Sequence, residues 1–215
     1  MIARVAAEGL GTALLLAIVV GSGIMGETLA AGNAGVALLA NSVATGAGLF
    51  TLICIFAPIS GAHFNPAVSI TAALDRALTV PMAAAYVGAQ LIGAWVGVLA
   101  AHAMFSLPLV QVSVRARESW GECLGEVIAT FGLLLTIRLL ARAPLAQVAA
   151  CVALWIVAAY WFTSSTSFAN PAVTVARSLT NTFAGIAPNH VPVFAVAQLL
   201  GAGLAMLAGR LFEPR

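Results

Sequence analysis

Lysine is absent from this chain: its charge rests on nine arginines against seven acids, for a net charge of +2. Charged residues make up only 7% of the 215 positions, against roughly 25% in a soluble domain. No run of basic residues occurs, which excludes nucleic acid as a partner. The three cysteines, Cys54, Cys123 and Cys151, are odd in number and sit in separate apolar stretches without metal-ligand spacing. They read as small buried residues and not as a disulfide framework or a metal site. His102 and His190 are isolated, and no nucleophile motif accompanies them. The sequence therefore implies no enzyme, no cofactor and no metal.

What is present is apolar. With 62% hydrophobic residues and a mean hydropathy of +1.06, the chain reads as an all-α polytopic membrane protein. Six transmembrane helices are expected, at about 5–25, 36–56, 82–105, 123–140, 148–162 and 193–211. Most approach the ~20 residues needed to cross a bilayer. The first is followed by further spans, so it reads as a retained helix and not as a signal peptide. Gly88, Gly93 and Gly97 in the third span are expected to let helices approach closely.

Two tripeptides interrupt this pattern. Asn65-Pro66-Ala67 and Asn170-Pro171-Ala172 stand 105 residues apart, each after an apolar run. Asn before Pro has the chemistry of a helix start: the amide oxygen accepts from free backbone N–H groups, and Pro fits the first helical position. The apolar segments that follow, 68–73 and 173–179, are too short to span. Two half-helices inside a membrane put two positive dipole ends and two amides at mid-depth, the outline of a pore.

The chain repeats itself around these boxes. Glu8-x-x-x-Thr12 in the first span matches Glu126-x-x-x-Thr130 in the fourth, and each half has three spans with a box between its second and third. Three is odd, so the second copy enters from the opposite side, an inverted repeat. We read 1–215 as a single channel domain with repeats at 1–105 and 120–215. With a cytoplasmic N-terminus, Arg4, Arg76, Arg138, Arg142, Arg210 and Arg215 fall inside and Arg115, Arg117 and Arg177 outside. Six against three favours both termini in the cytoplasm.

On these residues, together with Ser60-Gly61-Ala62-His63 ahead of the first box, the chain resembles the aquaporin and aquaglyceroporin (major intrinsic protein) family. The resemblance implies a homotetramer with one pore per protomer, in the plasma membrane of a bacterium, passing water and small neutral solutes. It implies that Asn65 and Asn170 donate to the passing solute, and that His63 lines the pore, a purely structural histidine being the alternative. It gives Glu8 and Glu126 a structural role bonding the half-helix loops; the competing role is proton coupling in a secondary transporter, since membrane-embedded acids are functional candidates.

The chain departs from the family at the second box. Most members carry Arg directly after it, and here that residue is Val173. An ungapped count from the boxes puts the other outer constriction positions at Thr45, Ala158 and Ser167. All four are small or medium and uncharged, so a wide filter without its cation is expected. It would admit glycerol, urea or undissociated metalloid acids such as arsenite or methylated arsenicals; an ordinary water channel is the alternative. The second box and the Ser/Thr run before it resemble bacterial aquaglyceroporin-like channels linked to arsenic resistance. Arg177, one turn beyond Val173, supplies a displaced charge at the vestibule or bonds carbonyls of the 181–190 loop. Tyr160, Trp161 and Phe162 either reach the pore or serve as aromatic packing. Glu27 is expected at a solvated mouth.

Overall fold

The computed structural model describes residues 1–212; Arg215, counted above for orientation, lies outside them. The elements are α1 (Ile2–Leu29), α2 (Ala34–Ser60), α3 (Pro66–Leu74), α4 (Val80–Met104), α5 (Trp120–Leu139), α6 (Leu145–Phe162), α7 (Pro171–Arg177) and α8 (Val191–Phe212). A short 3₁₀ turn, Pro188–His190, leads into α8. Five of the long helices have the length and apolarity to cross a membrane by themselves. The sixth, α5, has 20 residues, a length of about 30 Å at 1.5 Å per residue. It carries Glu122, Glu126 and Arg138, which dilute its apolarity.

The starts and stops follow local chemistry. Asn33 caps α2 by accepting from the N–H groups of Gly35 and Val36. Ser119 and Glu122 form a reciprocal capping box at α5. Pro58 does not break the second span. Helix α2 runs through Pro58 to Ser60 and ends at Gly61, whose φ of 97° only glycine adopts freely.

Helices α1–α4 and α5–α8 form the two halves of the inverted repeat. Within each, the first helix packs on the second and the fourth, while α2 meets α6 across the repeat boundary. Close approach rests on matched glycines. A Cβ on Gly93 of α4 would lie 2.1 Å from the Gly9 carbonyl oxygen, and one on Gly201 of α8 would lie 2.3 Å from that of Val127. The third-span glycines divide on this point. Gly93 and Gly97 face α1, whereas Gly88 faces open space. The exterior is apolar, with Leu10, Val43, Ile92, Leu154 and Leu200 exposed, and polar side chains such as Glu8, Gln90, Glu126 and Gln198 are fully buried. This inside-out distribution fits a lipid surround.

Half-helices α3 and α7 have nine and seven residues, about 14 and 10 Å against a ~30 Å hydrocarbon core. They meet at their N-termini. Each also packs on the last helix of the other half, α3 on α8 and α7 on α4, which locks the repeats together.

Candidate functional site

The box asparagines join the two repeats. Asn65 Oδ1 accepts from Ala67 N–H, and Asn170 Oδ1 from Ala172 and Val173 N–H. One amide hydrogen of each crosses to the other repeat: Asn65 Nδ2 donates to Ala169 O and Asn170 Nδ2 to Phe64 O, both at 2.8 Å. The amide carries two hydrogens, so one is left on each Asn, and both residues line the central cavity. Capping and donation thus coexist on the same side chain.

Buried carboxylates hold the loops that carry these residues. Glu8 accepts from Ser60 Oγ, His63 N, Phe64 N and Gln90 Nε2 at 2.6–2.9 Å. Glu126 accepts from Phe168 N, Ala169 N and Gln198 Nε2 at 2.6–2.8 Å. The loop backbones need such anchors, because Ala62, Phe64, Ser167 and Ala169 all have positive φ without being glycine. Gln90 and Gln198 also donate to Ser69 and Thr174, equivalent hydroxyl residues in the two half-helices. Sequence reasoning passed over both glutamines, although Ala89-Gln90-Leu91-Ile92-Gly93-Ala94 and Ala197-Gln198-Leu199-Leu200-Gly201-Ala202 repeat each other nearly letter for letter. The threonines of the Glu-x-x-x-Thr motifs differ. Thr12 Oγ1 donates to the Glu8 backbone carbonyl, and Thr130 Oγ1 is buried without a partner.

A cavity of about 550 Å³ runs along the repeat interface. Asp75 and Arg138 line its α3 end, Asn65, Asn170, His63 and Val68 its middle, and Thr45, Tyr160, Ser167, Val173 and Arg177 its α7 end. His63 faces the cavity with Nδ1 engaged by Ser69 Oγ at 3.1 Å. At the α3 end Arg138 pairs with Asp75 at 2.5 Å.

Three of the four residues reached by counting from the boxes line this cavity, and Ala158 does not. It is exposed on the other side of α6, and Tyr160 lines the wall instead, its hydroxyl 3.3 Å from Thr45 Oγ1. Residues two apart on a helix point about 200° apart, so a count that is off by two turns a side chain from pore to lipid. Trp161 and Phe162 are about half exposed, so only the tyrosine of that aromatic cluster reaches the cavity. Ser167 Oγ is buried without a protein partner. Glu27 is exposed, as expected.

Arg177 is bonded to the loop and also stands on the cavity wall. Its Nε donates to Ala184 O in the 181–190 loop, and the residue lines the cavity. Arg117 was not singled out in the sequence, yet it too is buried, donating to Gly185 O and Ser165 O. Burial, reinforced by Arg115, lowers its pKa to about 10, so it stays charged at neutral pH. The two guanidiniums sit on the Phe168 ring at 4.7 and 3.4 Å from its centroid. His102 ties the end of α4 to Leu109 O and Thr180 Oγ1, a structural role.

An inverted repeat with two opposed half-helices and a cavity through their meeting point defines a membrane channel for small solutes. The profile of the major intrinsic protein family matches residues 1–145. The chain is 52% identical over 212 residues to the aquaglyceroporin AqpS of Rhizobium meliloti (strain 1021), covering 98% of this chain and 91% of that one. It is 31% identical over 177 residues to the probable aquaporin TIP2-2 of Oryza sativa subsp. japonica, covering 80% and 71%. The X-ray structure of the aquaglyceroporin from Plasmodium falciparum superposes with a TM-score of 0.79 at 20% identity, covering 99% and 97%, a likeness of fold. The chain belongs to the major intrinsic protein family and is a passive channel, not an enzyme.

Proposed function

We propose that this channel passes small uncharged solutes bulkier than water, among them glycerol and undissociated metalloid acids such as arsenite or methylated arsenicals, with some water. One observation carries the reading. The wall position after the second box is Val173, buried at 5% exposure on the cavity and equivalent in the repeat to Val68, which lines it too. Where most of the family narrows and charges the pore with Arg, this chain has an aliphatic side chain on the same cavity as Thr45 and Ser167. The similarity to AqpS, named an aquaglyceroporin, supports the same conclusion.

In this reading Asn65 and Asn170 offer their remaining amide hydrogens to the solute, and the two helix N-termini exclude cations. Residues 1–215 act as one channel domain, assembled as a homotetramer in a bacterial inner membrane with both termini cytoplasmic. The α7 end of the cavity then faces outward, and a role in arsenic resistance follows from the solute class. Tyr160 favours a second reading, a narrower water-selective pore, because its ring occupies wall that a small residue was expected to leave open.

Glycerol, arsenite and water permeability of proteoliposomes separate these readings. Val173→Arg is expected to lower glycerol and arsenite uptake far more than water flux. Equal rates for both solutes in the two proteins would remove the assignment.

A further inference from the structure

The α7 end of the cavity holds a cation without a counter-ion. Arg177 is only 2% exposed, and among the described residues no carboxylate pairs with it. The Ala184 carbonyl takes its Nε–H, and its guanidinium carbon stands over the Phe168 ring, 3.4 Å from the centroid. Among the described residues no acceptor takes the hydrogens of Nη1 or Nη2, and the side chain lines the cavity. Ser167, next to Phe168 in the chain, lines the same cavity with a buried and unpartnered hydroxyl. A buried cation is costly unless its donors are met. Here a held guanidinium stands on the cavity wall, and an unpartnered hydroxyl lies buried in the same wall.

We propose that Arg177 and Ser167 form a docking site for a small oxyanion at the α7 end of the pore. The guanidinium fork matches two oxygens of a planar anion. Leu49, Ile53 and Val173 line the same cavity with apolar side chains that add no further donor at this end. The proposal rests on the reading of the cavity as a solute pore and adds a ligand which that reading does not need. An oxyacid crosses in its protonated form, while its conjugate base holds the vestibule and competes with the neutral solute.

Nitrate is a suitable probe, being planar and having no protonated form at neutral pH. Glycerol uptake by proteoliposomes is compared in potassium nitrate and in potassium gluconate at matched ionic strength. Nitrate is expected to slow uptake by the wild-type channel. Arg177→Gln should raise the half-inhibiting nitrate concentration by about tenfold or more, the loss of a charge-assisted pair. Ser167→Ala should raise it by about fivefold, and it carries the test alone if Arg177→Gln does not assemble. Arg117→Gln should keep the inhibition, because that guanidinium is committed to Gly185 and Ser165 carbonyls and does not line the cavity. Nitrate without effect on a wild type that carries glycerol would overturn the docking site, as would unchanged inhibition in Ser167→Ala and in an assembled Arg177→Gln. A wild type that carries water but no glycerol would instead sink the bulky-solute reading on which the docking site rests.

Discussion

Replacing Glu8 separates an anchoring carboxylate from a proton-carrying one. Its Oε1 accepts from Ser60 Oγ and His63 N, and its Oε2 from Phe64 N and Gln90 Nε2. In Glu8→Gln one of these oxygens becomes an NH₂ group. With the new amide nitrogen at the Oε2 position, the Gln90 amide can turn over and present Oε1, which has no partner in the wild type. The Phe64 N–H then has no acceptor. With the nitrogen at the Oε1 position, the Ser60 hydroxyl can rotate to accept, and the His63 N–H is orphaned. Either way one buried backbone N–H is lost, about 1–3 kcal/mol. Glu8→Ala orphans His63 N, Phe64 N and the Gln90 amide together, about 3–9 kcal/mol, comparable with the entire ~5–15 kcal/mol by which folded proteins are stable. The expected order of thermal stability in detergent is wild type, then Glu8→Gln, then Glu8→Ala. Glycerol flux per assembled channel should not respond to an imposed pH gradient in any of them. Wild-type stability in both variants, with pH-gradient-dependent flux abolished, would refute the reasoning and favour a proton-coupled transporter.

Other expectations follow from the same geometry. Gly201→Ala should destabilise by at least the ~1–3 kcal/mol of ordinary overpacking, since its Cβ would sit 2.3 Å from the Val127 carbonyl oxygen, whereas Gly88→Ala, facing open space, should leave the melting temperature within a degree or two of wild type; a thermal melt of each checks the contrast. Asp75→Asn breaks a partly exposed ion pair with Arg138 and should cost only about 0–1 kcal/mol. Its measurable effect should instead be on solute flux, because both side chains line the α3 end of the cavity.

The fold was legible because its signals are short-range. The Asn-Pro pairs, the apolar lengths and the duplicated Glu-x-x-x-Thr each describe local chemistry, and the inverted repeat follows from counting spans. What stayed hidden depended on rotation about a helix axis. Ala158 and Tyr160 are two residues apart in sequence, and only packing against α2 decides which one meets the cavity. Gln90 and Gln198 were overlooked for a different reason: a neutral amide within an apolar run carries no signal of its own until its buried partner is known. Arg117 counted only as an outer charge, because sequence cannot show that the 106–119 segment folds back to bond the loop after α7. The half-helix boundaries, by contrast, shifted by only one or two residues at most ends, since Asn and Pro fix them chemically.

The two halves agree where the structure needs scaffold and differ where a solute would pass. Ser60 and Ser165, Asn65 and Asn170, Val68 and Val173, and Ser69 and Thr174 are equivalent and chemically alike, as are the Glu8–Gln90 and Glu126–Gln198 pairs that hold the loops. At the cavity wall the same register sets Ala62 against Ser167, His63 against Phe168 and Ala72 against Arg177. A symmetric anchor places both loops at equal depth, so the polarity of the pore from one end to the other is set by these few unequal pairs. The imidazole stands in the repeat before the meeting point, and the hydroxyl and the guanidinium stand beyond it. Val173 is the same residue as its symmetry mate Val68, and the charged difference between the halves stands one helical turn further along α7, at Arg177. The wall is aliphatic at Val173, and Arg177 keeps a cation within the same cavity. Under the proposed function this arrangement would join a permissive gap at Val173 to a charged entrance at Arg177, which a filter arginine at the gap itself would not do.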